Sequence, residues 1–234
     1  MKKTELYSQL GIAMTCRSYQ EYENMFMLER GLFSREKTLD IASGASSFSA
    51  ELNHMGYEAI AIDPLYRLSC EEIDRLGREE IKIASQKLSK NKDRFVWNYY
   101  HNVEHHDEIR NLSLDQFLDS YRRDTLKEKY VAASLPSLPF DNDTFSFVFC
   151  NHFLFLYQEQ FDYAFHLEAI LEMLRVTKKG GSIYIYPLVG FKDELYPQLN
   201  QLIESLIDNG FNATLTETNF RFLPSATHFL KVKK

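Results

Sequence analysis

The stretch from Thr38 to Tyr66, TLDIASGASSFSAELNHMGYEAIAIDPLY, constrains the fold more than any other part of the chain. It reads as a strand, a tight loop, a helix and a second strand with an acid at its tip. Leu39 and Ile41 fall in a short apolar run, as in a strand covered on both faces of a parallel sheet. Ser43-Gly44-Ala45-Ser46 carry small side chains, so the backbone can turn sharply and be approached closely. Phe48, Leu52 and Met55 recur at helical spacing, and Gly56 suits a helix stop. Tyr57 to Ile62 reads as the second strand, closed by Asp63.

A parallel sheet binds ligands in the crevice beyond the carboxyl ends of its strands. Asp63 lies 19 positions past Gly44. An acid at about 20 residues from such a loop accepts hydrogen bonds from ribose hydroxyls. The expected ligand therefore contains a ribose. A pyrophosphate is not expected, because the G-x-G-x-x-G register would need glycines where Ala42 and Ser47 stand.

The 234 residues fit one domain spanning 1–234, and the net charge of −6 gives no field that favours nucleic acid or an anionic membrane. Cys16, Cys70 and Cys150 form no C-x-x-C pair, which argues against a disulfide framework and a zinc site. The first residues, MKKTELYSQLGIAM, are interrupted by Glu5, Ser8 and Gln9 and make a poor signal peptide. No stretch is apolar for long enough to span a bilayer, so the expected compartment is the cytoplasm.

Ahead of the first strand, Arg17 to Glu29 reads as a helix, with Ser18 and Glu21 as a capping box and Gly31 as the stop. After Asp63 the expected third strand is delayed by a charged insert over 67–129. There Leu114, Phe117, Leu118 and Tyr121 mark one amphipathic helix, and Glu71 to Leu88 suggests another. Tyr130 to Ser134 resumes the sheet, and Phe145 to Cys150 is a buried strand. Phe161 to Val176 is helical, and Lys178-Lys179-Gly180-Gly181 reads as its end. Ser182 to Leu188 is a fifth strand, Tyr196 to Asn209 a helix, and Asn212 to Thr218 and Thr227 to Val232 closing strands.

These pieces together resemble the class I S-adenosylmethionine-dependent methyltransferases. D-I-A-S-G-A-S from Asp40 stands where that family has its acidic, glycine-rich first motif. A-I-D-P around Asp63 matches the second. Leu138-Pro139-Phe140 with the strand from Phe145, and M-L-R-V-T-K-K-G-G-S-I-Y-I, match the fourth and fifth strands. The resemblance implies an α/β, Rossmann-like doubly wound sheet of seven strands, order 3-2-1-4-5-7-6 with strand 7 antiparallel, and a helical insert after strand 2. It also implies methyl transfer from S-adenosyl-L-methionine. By the same resemblance Asp40 orders the loop, Ala42 replaces a flanking glycine, and Gly44 faces the methionine portion. Asp63, with Pro64 behind it, holds the ribose. Ser134 and Leu135 flank the adenine, and Asn151 lies at the tip of strand four near the methyl group.

Methyl transfer to an activated sulfonium needs alignment more than acid–base machinery, so no triad is expected. His152 is the candidate base, set against the plainer reading of a histidine packed at a strand end. Arg17 and Tyr22 are the candidates for the cofactor's carboxylate, since an Arg fork matches a carboxylate bidentately. His101, Glu104, His105 and His106 read as a solvated face, and no metal is expected. The aromatic run Phe95 to Tyr100 reads as a small core under the insert, with a lid over the crevice as the functional alternative. The acceptor is expected to be a small molecule. A non-catalytic binder of the same fold and an NAD(P)-dependent reductase are the competing readings; the missing glycines disfavour the second.

Overall fold

A computed structural model describes residues 13–29, 31–33 and 36–234. The reading of residues 1–12 as part of a poor signal peptide lies outside the described residues. Seven strands form one sheet in the order β3-β2-β1-β4-β5-β7-β6. β1 (Lys37–Ile41) pairs in parallel with β2 (Glu58–Ile62) and β4 (Phe145–Asn151). β2 pairs in parallel with β3 (Tyr130–Val131), and β4 with β5 (Thr177–Tyr186). β7 (His228–Lys233) runs antiparallel between β5 and β6 (Asn212–Glu217). This is the order that the resemblance implies.

Both faces of the sheet are covered, which is why its central strands read as nearly unbroken apolar runs. Side chains alternate along a strand. Val148 and Ile183 enter one core with α5 (Tyr163–Val176) and α6 (Leu199–Asp208). Phe149 and Tyr184 enter the other, with Tyr22 and Phe26 of α1 (Tyr19–Phe26) and Phe48 and Leu52 of α2 (Phe48–His54). Tyr22 stacks on Phe48 at 4.0 Å between ring centroids.

The insert consists of α3 (Cys70–Lys90) and α4 (Val103–Arg123). Ile73 and Ile81 of α3 pack with Leu114, Phe117, Leu118 and Tyr121 of α4, and this cluster runs on into Ala61 and Tyr130 of the sheet. Three boundaries differ from the sequence reading. α1 ends at Met27, whose φ of 53° turns the chain before Gly31. β3 holds only Tyr130–Val131, and Ser134 then bridges to Ser137. The Lys178–Gly181 run is not a helix end but a bulge inside β5, where Phe145 pairs with Thr177 and Phe147 with Ser182. Gly180 has φ +83°, and a Cβ on Gly181 would lie 2.8 Å from the Ser146 carbonyl, so the bulge needs both glycines.

Candidate functional site

At the carboxyl ends of β1 and β2 the loop and the acid form one hydrogen-bonded unit. Asp63 is half-buried; its Oδ2 accepts from the Gly44 N–H at 3.0 Å and its Oδ1 from the Leu65 N–H at 2.8 Å. Burial pushes the Asp63 carboxyl up from its ordinary value, and these two N–H bonds pull it back. Each oxygen keeps a lone pair for a further donor. Pro64 is exposed and opens the short 3₁₀ turn that Asp63 caps.

Asp40 lies beneath this unit, fully buried, accepting from the hydroxyls of Ser43 at 2.6 Å and Tyr22 at 3.0 Å. Burial carries its carboxyl up to about 7, against those two hydroxyl bonds and with help from the charge of Asp63. Asp40 thus orders the loop. Tyr22 is core, its ring on Phe48 and its hydroxyl on Asp40, so the structure does not bring it to a ligand's carboxylate. Ala42 has φ +52°, the left-handed conformation that favours glycine at this turn. Ser134 is exposed beyond β3, whereas the side chain of Leu135 is in the core.

The bare face of Gly44, which the resemblance turns toward a methionine portion, instead meets the chain's own backbone. With φ +57° it is left-handed, and a Cβ there would lie 2.7 Å from the Thr15 carbonyl oxygen. Residues 13–17 run over the loop as a strap. The Thr15 carbonyl accepts from the Ala45 N–H at 2.9 Å, and the Arg17 carbonyl from the Ser47 N–H at 2.9 Å and the Ser46 hydroxyl at 2.7 Å. The Ala13 N–H donates to the Tyr157 hydroxyl at 2.8 Å.

Beyond the strap lies a cavity of about 450 Å³, bounded by α3, α4, the tips of β4 and β5 and the connection between β6 and β7. Its roof is aromatic: Phe95 stacks on Phe222 at 4.7 Å, and the Val96 N–H donates to the Phe222 carbonyl at 2.8 Å. The run Phe95 to Tyr100 is therefore both a small core, through the fully buried Tyr100, and a cavity wall, through Phe95.

A buried ionic cluster stands at the cavity. Glu21, fully buried, accepts both arms of Arg110, at 2.7 and 2.8 Å, and Nη1 of Arg17 at 2.9 Å; the Tyr100 hydroxyl also donates to it. Burial alone would raise the Glu21 carboxyl, but the two guanidiniums hold it well below the usual range. Arg17 and Arg110 both line the cavity. The guanidinium of Arg17 is therefore on the cavity wall with Glu21 and Tyr100, not over the bare face of Gly44, which Thr15 covers. Its Nε is buried without a hydrogen-bond partner.

His152, in the left-handed region at φ +51°, and His106 face the same cavity. Nδ1 of His152 meets Oδ1 of Asn151; in the tautomer that donates there, Nε2 carries the lone pair. Burial, then the charges of Arg17 and Arg110, hold His152 well below the ordinary imidazole value. Burial and Arg110 push His106 down to about 4, and its Nδ1 lies 3.0 Å from Asp107. Asn151 is buried, and its Nδ2 has no hydrogen-bond partner. Among the described residues no group of three His, Cys, Asp or Glu is placed to hold a metal ion, and no helix is long and apolar enough to cross a membrane.

The sequence reading takes Glu21 only as a helix cap and Tyr100 only as core, and it does not single out Arg110. His106 is not on a solvated face but buried against the cavity, because the aromatic rings of Tyr100 and Phe222 cover it. A signal for Arg110 exists, because it shares the buried stripe of α4 with Val103, His106, Leu114, Phe117 and Tyr121.

Residues 105–185 match a family described as "Methyltransferase domain". An uncharacterized protein of Methanocaldococcus jannaschii is 30% identical over 219 residues, covering 93% of this chain and 94% of that one. Two solved structures are similar in fold. The first is a Burkholderia thailandensis 1,6-didemethyltoxoflavin-N1-methyltransferase, holding 1,6-didemethyltoxoflavin and S-adenosylhomocysteine. It is 11% identical with TM-score 0.50, over 91% of this chain and 76% of that one. The second is a Pyrococcus horikoshii protein at 16% identity and TM-score 0.48, over 98% of this chain and 93% of that one.

Proposed function

We propose, since the chain belongs to the class I S-adenosylmethionine-dependent methyltransferases, that its methyl acceptor is a small molecule received in the cavity beside His152. The observation that carries this reading is the cavity itself. Its volume of about 450 Å³ suits a metabolite, and it opens at the tips of β4 and β5, next in sequence to Asn151 at the end of β4 and across β1 from the end of β2 that carries Asp63.

The residues present fit the cofactor. Asp63 is already oriented, and its remaining lone pairs suit the two ribose hydroxyls. The unpartnered amide N–H of Asn151 suits an acceptor atom on the methionine portion. Ser134 and the backbone of Leu135 are the groups offered to the adenine, where a serine is a weaker acceptor than a carboxylate. Ala42 keeps the floor of the loop low, and Pro64 gives the ribose an apolar edge.

S-adenosylmethionine, when bound, supplies a methyl group on a positively charged sulfur. The chain's own part is to hold the acceptor in line and keep water out, and such alignment is worth about 7–11 kcal/mol. If the acceptor arrives protonated, Nε2 of His152 is the group beside it to take the proton, as a weak base, because burial and the two guanidiniums disfavour the imidazolium.

Two measurements test this. S-adenosylhomocysteine, and not NAD, should raise the unfolding midpoint, by the equivalent of about 2.7 kcal/mol at 100 times its Kd. Methyl-labelled cofactor, incubated with the protein and a fractionated cell extract, should label the small-molecule fraction. Label found only in RNA or protein would overturn the small-molecule reading.

A further inference from the structure

We infer that the acceptor carries a carboxylate-type anion on an otherwise apolar body, and that the guanidinium of Arg17 receives it. This deepens the proposed function and rests on it.

Charge is the first argument. Two guanidiniums share the single carboxylate of Glu21, which leaves one positive charge in a dry place. A buried charge without a counter-ion is costly, and an arriving anion would cancel it. The other charged groups on the cavity do not supply that counter-ion. None of them bonds Arg17: Asp107 bonds His106 and stands on the Arg110 side, Lys192 pairs with Glu159, and Glu80, Asp93, Asp193, Lys87 and Arg94 hold half-buried or exposed positions open to solvent screening.

Geometry is the second. Arg17 is only 8% exposed, and its hydrogen bonds run through Nη1, to Glu21 at 2.9 Å and to the Tyr100 hydroxyl at 2.6 Å. That leaves the Nε edge, where Nε is buried and lacks a partner. The Nε–Nη2 edge of an arginine is a fork that a carboxylate meets with both oxygens. The strap fixes this group in place, because the Arg17 carbonyl is tied to Ser46 and Ser47.

The body of the acceptor follows from the rest of the dry wall. Ile81, Leu88, Phe95, Tyr186 and Phe222 present apolar and aromatic surface. A flat, apolar molecule with one anionic end matches a wall of this kind with one cationic point.

The test uses the full chain saturated with S-adenosylhomocysteine, so that the cofactor's own carboxylate is already housed. Matched pairs, benzoate with benzamide and 1-naphthoate with 1-naphthamide, are titrated by calorimetry into the wild type and Arg17→Gln. In the wild type at least one carboxylate should bind about tenfold or more tighter than its amide, the scale of a charged hydrogen bond. In Arg17→Gln that preference should vanish, while S-adenosylhomocysteine affinity stays within about threefold. Arg17→Gln keeps the bidentate pair of Glu21 with Arg110, so its urea midpoint checks that the fold is retained. The inference is overturned if no pair shows the preference, or if the preference survives in Arg17→Gln, whether or not S-adenosylhomocysteine affinity changes. Either result leaves the small-molecule reading standing, which fails only if label goes to macromolecules.

Discussion

The backbone N–H of Gly44 donates to Oδ2 of Asp63 at 3.0 Å, so the loop after β1 holds the acid at the tip of β2 before any ligand arrives. A carboxylate oriented this way loses little freedom on meeting two hydroxyls. Asp63→Ala should therefore weaken S-adenosylhomocysteine by about 10- to 100-fold, the loss of one or two charge-assisted hydrogen bonds. Isothermal calorimetry measures it, and an affinity within twofold of wild type would show the ribose to be held elsewhere.

Gly44→Ala puts a side chain into a left-handed conformation and against the Thr15 backbone at 2.7 Å. The conformation alone costs about 1–2 kcal/mol. Urea unfolding should show at least that loss with an unchanged slope, and a stability equal to wild type would mean the strap is not seated on the loop.

Glu21→Gln leaves two buried guanidiniums facing each other without a counter-charge. Breaking a buried ion pair in this way costs about 3–5 kcal/mol. The pH dependence has a definite sign. The folded carboxyl is held below its ordinary 4.5, so its stabilisation is complete above that value and is lost as pH falls through the lower folded value. Urea midpoints of both proteins between neutral and strongly acid pH should converge on the acid side. Parallel curves would contradict the ionic account.

Asp40 behaves in the opposite sense. Its carboxyl is raised from 3.8 to about 7 in the fold, so the folded state binds the extra proton between those values. Its contribution is complete below the lower figure and declines as pH rises to the upper one. Asp40→Asn removes that titration, so its stability relative to wild type should rise between pH 4 and pH 8, by something of the order of a few kcal/mol. A constant gap would place Asp40 at an ordinary carboxylate value.

The crevice was legible in the sequence because its parts lie close along the chain. Gly44 and Asp63 belong to one strand–helix–strand unit, whose geometry follows from local spacing. Glu21 was legible only in part. The capping box with Ser18 forms, yet the same carboxylate also binds Arg110, 89 positions away, and no local pattern announces that pairing. The same gap explains Arg17, which stands beside the loop in sequence but turns its head group toward α4. Gly180 and Gly181 misled for a different reason. A glycine pair after two lysines is what a helix end looks like, and a bulge asks for the same residues.

The span from Ala13 to Arg17 touches the loop after β1 on one side, through Ala45, Ser46 and Ser47, and the cavity of about 450 Å³ on the other. It is a party wall one chain thick. Tyr157 pins one end, and Arg110 grips the Cys16 carbonyl at 2.8 Å near the other. The backbone that lines the cavity on one face is thus the same backbone that accepts the loop's N–H groups on the other.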